Sequence, residues 1–562
     1  MEWTEEQRKI IDLRDRNILV AAAAGSGKTA VLVERILSLV TDPDNPVDID
    51  RLLVVTFTNA AAGQMKERIG RRLAELTEQR PQDENLRRQA DLLPHAKIMT
   101  IDSFCLYVAK NYFSFLDLDP DFRIGDEGEL KLLRESVMEE LLEDAYREAS
   151  PDFLLFVDCY AEGKGDAGIQ EYIERLYQSA QGYPEPEKQL EYWRRQLEAD
   201  SEETLARTGW MQCLMADIHL EAQEMVSRYD AAIEVCLEPD GPYYYEEMFR
   251  SDRKFARGLA EAADYGTAAG ILAELKEKGA FVRKPSKKDP AVSEEKKQFL
   301  SALRDEMKKE LQNLGRQYDL GDMETVLSDI AGVRRPLMEL IRLASEYGRR
   351  FAEAKREKNL ADFGDVEHFA YRILMEEDEN GERTRPTSAA LEMSRNFYEI
   401  MIDEYQDSNR IQEAILTSVS KERDGRPNIF MVGDVKQSIY KFRLARPELF
   451  MEKYASYTEG DSLYQKIDLH RNFRSRQEVL RSVNFLFGQL MEEKLGGITY
   501  DEAAALIPGR CFSDEESAGD FDTEILFMDS GKERGEDTGL AEYQAKELEA
   551  RAVAKRIREL VD

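Results

Sequence analysis

Cysteine, histidine and net positive charge are what this sequence has least of. Five cysteines occur in 562 residues, at Cys105, Cys159, Cys213, Cys236 and Cys511, and no two form a CxxC pair. That excludes a disulfide framework and favours a reduced setting. The four histidines (His95, His219, His368, His470) are scattered, so no His/Cys metal site is visible. No run of 18 apolar residues occurs, which excludes a membrane-spanning helix. Residues 1–17 are charged and lack the pattern of a secretory leader. A cytoplasmic protein without a membrane partner is expected.

Basic residues number 78 against 112 acidic ones, a net charge of −34 with a pI near 4.8. The total speaks against nucleic acid, whose binders usually show a basic footprint. The distribution is uneven, however. Residues 1–125 are net −3, whereas residues 126–250 alone are net −20. With 42% hydrophobic and 9% aromatic residues the chain can bury real cores. Its length predicts roughly three to five domains.

The order of local patterns predicts an α/β fold. Asn17–Ala23 and Arg51–Thr56 read as buried strands of a parallel sheet, with Lys28–Val40 and Ala60–Leu76 as the helices that follow. Residues 126–360 are rich in Glu, Lys, Leu and Ala, with breaks at Pro184–Pro186, Pro239–Pro242 and Lys284–Pro290. They read as a mostly helical insertion. Strand patterns return at Glu399–Ile402 and Asn428–Val432. Residues 513–540 read as an acidic loop, and residues 541–562 as one more amphipathic helix.

Two patterns carry chemistry. Gly25-Ser26-Gly27-Lys28-Thr29 lies between a predicted strand and a predicted helix. It completes a phosphate loop except that Ala22 stands where the pattern GxxxxGK[ST] has its first glycine. Backbone amides of residues 22–27, with Ala23 and Ala24 among them, would cradle phosphates at a helix N-terminus. Lys28 would reach the β- and γ-phosphates of ATP and Thr29 would ligate Mg²⁺. The second pattern, Ile402-Asp403-Glu404-Tyr405-Gln406-Asp407, ends an apolar strand in carboxylates. Strand ends are where open α/β sheets hold their ligands. There Asp403 would hold Mg²⁺ and Glu404 would deprotonate the attacking water.

Seven motifs in order then carry a family resemblance: WTEEQRKII at 3–11, AAAAGSGKTAVLVERI at 21–36, VVTFTNAAAGQMKERI at 54–69, TIDSFC at 100–105, IDEYQD at 402–407, VGDVKQSIYKFRLARPELF at 432–450 and LHRNFRS at 469–475. The chain resembles the UvrD-like helicases of superfamily one. GDVKQSIYKFRLA, with ADFGDVEHFAYRIL at 361–374, favours the branch of AddA-type (RexA-type) helicase/nuclease subunits from AddAB (RexAB) recombination complexes. The resemblance implies a P-loop (RecA-like) motor core over 1–122 and 361–455, a helical insertion over 123–360, and the start of a second RecA-like core over 456–562. It implies that Gln7 reads adenine, Phe473 stacks on it, Gln437 senses the γ-phosphate and Arg474 is an arginine finger. Phe57, Asn59, Tyr440 and Phe442 would line a track for single-stranded DNA, where ring faces stack on any base.

The implied activity is ATP-driven 3′→5′ translocation on single-stranded DNA and unwinding of duplex ends. Together with an AddB/RexB-type partner it would process double-strand breaks for homologous recombination. A stand-alone repair helicase and a non-unwinding ATP-dependent DNA-binding module are the alternatives. Asp102 departs from the family, which commonly has histidine there. The later motor motifs and the exonuclease domain of such proteins are expected beyond residue 562, so slow ATP hydrolysis is expected of this stretch alone.

The motifs also account for the basic residues. Lys66–Arg72, Val435–Pro447 and His470–Arg481 are basic clusters, and each lies in or beside a motif implied to face phosphate.

Overall fold

The apolar run entering the glycine-rich loop becomes an inner strand of a six-stranded parallel sheet. In the computed structural model the described residues are 3–116, 118–161, 165–277, 279–379, 381–492, 498–510, 512, 523–527 and 539–561. The sheet strands are β1 (Asn17–Ala22), β2 (Leu52–Thr56), β3 (Lys97–Thr100), β4 (Glu399–Asp403), β5 (Ile429–Gly433) and β6 (Tyr464–Leu469). Their spatial order is β6-β1-β5-β4-β2-β3, with every pair parallel. Strands β2 and β5 are buried at every position, as a sheet covered on both faces requires. All strands end on one side, so the loops after β1, β4 and β5 converge there.

Helix α1 (Glu5–Asp12) precedes the sheet, α2 (Lys28–Val40) follows β1 and α3 (Asn59–Gln79) follows β2. The start of α3 is fixed by Thr58, whose hydroxyl accepts the Ala61 amide. Ile10, Val31, Ile36, Val54, Met65, Met401 and Phe430 belong to one apolar core between these helices and the sheet.

One boundary differs from the sequence reading. Residues 464–469, expected inside a second core, form edge strand β6 of the first sheet, paired from Asn17↔Tyr464 to Ala22↔Leu469. An edge strand buries only alternate side chains, here Gln465, Ile467 and Leu469. Its sequence therefore lacks the continuous apolar run that marks the inner strands. The loop expected over 513–540 lies largely outside the described residues. Helix Gly539–Val561 occupies the last described stretch.

The chain divides into two compact units, Met1–Asp117 with Val366–Asp562, and Leu118–Asp365. The second is helical from Glu127–Glu148 to Met323–Glu357, and a short parallel pair, Arg123–Ile124 with Leu360–Ala361, brings its two ends together. It holds two large apolar clusters. The 35-residue helix Met323–Glu357 contributes Val326 to one and Leu343, Ala344, Tyr347 and Phe351 to the other. No described helix is long and apolar enough to cross a membrane.

The sheet unit contains a buried ion pair. Arg35 on α2 is fully buried, and its Nε donates to Glu399 Oε2 at 3.1 Å while Nη2 donates to Oε1. Nη1 donates to the Ile10 carbonyl of α1, and the guanidinium lies 4.9 Å from the Phe430 ring centroid on β5. One side chain thus ties α1, α2, β4 and β5. Removing one partner strands the other charge in the core, at a cost of about 3–5 kcal/mol. Arg35→Met is expected to lower unfolding stability by that order in urea melts. The double variant Arg35→Met/Glu399→Leu should recover most of the loss. Equal stability of Arg35→Met and parent would refute this role.

Candidate nucleotide site and aromatic track

The loop after β1 owes its shape to two glycines. Gly25 and Gly27 have φ of +70° and +87°, a region that side chains disfavour. Gly27 caps α2 with no side-chain hydrogen bond, so the first amides of the helix point outward. Gly25 is also spatially required, because a Cβ there would lie 2.6 Å from Asn472 Nδ2. Ala22 is accommodated because it closes β1 opposite Leu469 in ordinary strand conformation.

Two further segments hold this loop. Asn472 Nδ2 donates to the Ala24 carbonyl at 2.7 Å, and the Phe473 amide donates to the Gly25 carbonyl at 2.9 Å. Asn472 Oδ1 accepts the amides of Arg474 and Ser475. Gln7 Nε2 donates to the Ser26 carbonyl at 3.1 Å, while its Oε1 accepts the Thr4 amide. Ser26 Oγ is buried without a hydrogen-bond partner among the described residues.

The carboxylates stand where β4 ends. Lys28 Nζ meets Glu404 Oε2 at 3.0 Å. Glu404 has φ +55°, which costs a residue with a Cβ roughly 1–2 kcal/mol. Its amide donates to Asp403 Oδ1 at 3.1 Å. Burial, reinforced by the Glu404 charge and opposed by Lys28, pushes the Asp403 carboxyl up to about 6. Burial and the Glu404 charge likewise push Asp407 up to about 6. Among the described residues no group of three or more His, Cys, Asp or Glu is placed to hold a metal ion. The residues nonetheless fit a phosphate-bound Mg²⁺. A hydroxyl at Thr29 and a carboxylate at Asp403 flank the loop, and phosphate oxygens and water usually complete such a shell. The orphaned Ser26 Oγ and the glycine cradle fit the phosphates themselves.

The segment after β5 approaches the same place. Gln437 Nε2 donates to Asp434 Oδ2 at 2.7 Å, and Lys436 Nζ lies 3.0 Å from Asp434 Oδ1. Beyond it, Tyr440 packs against Phe57 with ring centroids 4.4 Å apart, and Phe442 lies 5.8 Å from Tyr440. Arg443 sits over all three rings at 5.2–5.8 Å. Phe442 is 76% exposed. Asn59 is exposed at the start of α3, two residues from Phe57. Asp102 is held above the usual carboxylate range by burial, against the pull of Arg443.

The structure therefore gathers Gln7, residues 22–29, Asp403, Glu404 and Gln437 at the strand ends. Phe57, Tyr440 and Phe442 form a separate cluster. Arg474 is exposed, and Phe473 packs on Gly509, whose Cβ would lie 2.7 Å from the ring. Three participants escape a reading of the sequence: Asn472, Gln406 and Arg443. Asn472 and Gln406 stand inside motifs notable for their neighbours, and Arg443 is visible there only as one charge in a basic cluster.

A strand–loop–helix phosphate cradle facing a strand-end carboxylate pair defines a P-loop nucleotide-handling core. The chain belongs to the UvrD/REP helicase family, whose N-terminal domain pattern matches residues 3–458. It is similar to the A-type subunit of the ATP-dependent helicase/nuclease from Lachnoclostridium phytofermentans, with 44% identity across the whole chain and 42% of that relative covered. The Geobacillus kaustophilus and Bacillus licheniformis proteins of the same description are 44% and 42% identical, each covered over 45% of its length. The chain thus spans less than half the length of the curated relatives it matches.

The raised Asp403 carboxyl has a consequence for stability. Its folded pKa of about 6 lies above the ordinary value of 3.8, so the fold binds the extra proton between those pH values. The stability this contributes is present at low pH and lost as pH rises through 6. Asp403→Asn keeps the acceptor for the Glu404 amide and removes the titration. It is expected to melt higher than the parent at pH 7.5, with the gap closing below pH 5. An identical gap at both pH values would show that Asp403 does not titrate in this range.

Proposed function

We propose that this chain is the ATP-binding motor portion of an AddA-type DNA helicase. The observation that carries the reading is the contact of Lys28 with Glu404, made where the phosphate loop meets the strand-end carboxylates. In this reading residues 1–122 and 361 to about 470, through β6, form the first RecA-like core. Residues 123–360 are a helical insertion, and a second core begins after β6.

Amides of residues 24–29 bind the ATP phosphates, and Lys28 neutralises charge on the β- and γ-groups. Thr29 and Asp403 would hold Mg²⁺, which would supply further neutralisation of phosphate charge. Glu404 accepts a proton from the water that attacks the γ-phosphorus, and the bond to the bridging oxygen of ADP breaks. Gln437 lies on the γ-phosphate side. Gln7 and Phe473 bracket adenine. Arg474, exposed beside the loop, approaches the transferring phosphoryl group. Phe57, Tyr440 and Phe442, with Asn59 beside them, take successive bases of a single strand. The work done is 3′→5′ movement along that strand and opening of duplex ends. In the cytoplasm, with an AddB/RexB-type partner, it serves repair of double-strand breaks by homologous recombination.

Two measurements test this. Single-stranded DNA is expected to stimulate ATP hydrolysis, and Glu404→Gln to lower that turnover by about 10²-fold or more with ATP binding retained. Equal turnover by Glu404→Gln and parent would remove Glu404 from the role of base. Phe442→Ala alters an exposed ring and leaves the core untouched. It is expected to weaken oligo(dT) binding by roughly 1–3 kcal/mol, independent of base composition. Unchanged affinity would place the strand elsewhere.

A further inference from the structure

Gln406 lies between the nucleotide site and the aromatic track. Its side chain is buried to 1% exposure, inside the turn that follows β4. Nε2 donates to Glu404 Oε2 at 3.0 Å, the same oxygen that faces Lys28, and lies 3.3 Å from Asp407 Oδ2. Oε1 accepts the Asp434 amide at 3.0 Å. Asp434 in turn holds Gln437 by its carboxylate and by its carbonyl. Three residues beyond Gln437 stands Tyr440, packed on Phe57.

The amide is held in one orientation. An amide nitrogen must face the two carboxylates and the carbonyl oxygen must face an N–H, so a flip would break all three contacts. Gly433 leaves room for it: a Cβ at 433 would lie 2.4 Å from Gln406 Oε1. The backbone there is ordinary strand, so glycine is needed for that space and not for its dihedral freedom.

We propose that Gln406 is a positioning residue that couples the nucleotide site to the aromatic track. When Glu404 exchanges Lys28 and Gln406 for a phosphate-bound water, the donor on its Oε2 is released or tightened. The same rigid amide transmits that change to the Asp434 backbone, and through Gln437 and the following turn to Tyr440 and Phe442. The link is a chain of hydrogen bonds with fixed polarity, the kind of contiguous network through which coupling energy passes. It rests on the assignment of ATP and single-stranded DNA made above.

Coupling is measured as a ratio of affinities, which is the same in either direction. The dissociation constant of fluorescein-labelled oligo(dT) is taken with and without AMP-PNP and Mg²⁺. In the parent chain the two values are expected to differ by about 5- to 150-fold. Gln406→Glu keeps the volume and the acceptor for the Asp434 amide but loses the donor. It is expected to bring the ratio to within about twofold of one while each ligand alone still binds, near 1.4 kcal/mol being needed for any tenfold change. Gly433→Ala displaces the amide with Gln406 unaltered and is expected to do the same.

A wild-type ratio in both variants overturns the proposal. So does a parent ratio of one, and so does loss of either ligand alone in both variants, which would mark Gln406 as structural only. Failure of the functional reading shows differently, as absent oligo(dT) binding and absent DNA-stimulated ATP hydrolysis in the parent.

Discussion

Two helical turns from Lys28, a pair of buried charges ties the same helix to the strand that carries Glu404. Arg35 in the middle of α2 meets Glu399 at the start of β4, and Lys28 at the start of α2 meets Glu404 just after β4. Helix and strand run antiparallel, so the two contacts form the rungs of a short ladder. Seven helical residues rise roughly 10 Å. Five extended residues rise roughly 16 Å. Glu404 follows the strand with φ +55° and meets Lys28 at 3.0 Å. A hydrophobic contact in place of Arg35 could stabilise the core equally well, but it would slide. The bidentate geometry gives the pair a register, and the Ile10 carbonyl on the remaining nitrogen extends that register to α1, which carries Gln7 to the loop.

How much of this can be read from the sequence depends on how each element buries its side chains. The strands β1, β2, β4 and β5 are buried on both faces and appear as unbroken apolar runs, and the loop and carboxylates that follow them stand at fixed offsets. These are legible. Strand β6 is not, because LYQKIDL alternates and an edge strand with polar residues reads like a loop boundary. Arg35 is invisible for a different reason. It sits in an ordinary helical pattern, VLVERIL, where an arginine reads as a solvated position. Only the arrival of Glu399 from 364 residues away makes burial tolerable. The same holds for Asn472, whose value lies in reaching the loop at Ala24 across 448 residues of sequence. Long-range partners of polar groups leave no local trace.

The net charge of −34 becomes intelligible once the two units are considered separately. Residues 126–250, within Leu118–Asp365, are net −20, and exposed pairs one turn apart such as Arg207 with Glu203 and Arg257 with Glu261 occur in that unit. Exposed pairs of this kind contribute little to stability each. The sheet unit has such pairs as well, Arg71 with Glu67 and Arg72 with Glu75 among them, but some of its basic residues are placed differently. Arg443 lies over three aromatic rings, and Lys28 and Lys436 face carboxylates at the strand ends.

The turn after β4 shows how a few residues can serve several directions. Glu404 takes a left-handed conformation, and Tyr405–Asp407 then forms a tight 3₁₀ turn. Successive side chains therefore leave the backbone on different sides. Glu404 goes to Lys28. Tyr405 goes into the core, where its hydroxyl donates to Glu413 Oε2 at 3.0 Å and its ring packs near Phe450. Gln406 goes to Asp434. An extended strand could not do this, because its side chains alternate between two faces only. The strain at Glu404 is thus the condition for a third direction, and it is offset by the hydrogen bonds that the turn makes possible. Glycine at 404 would relieve that strain, but it would remove the carboxylate that faces Lys28.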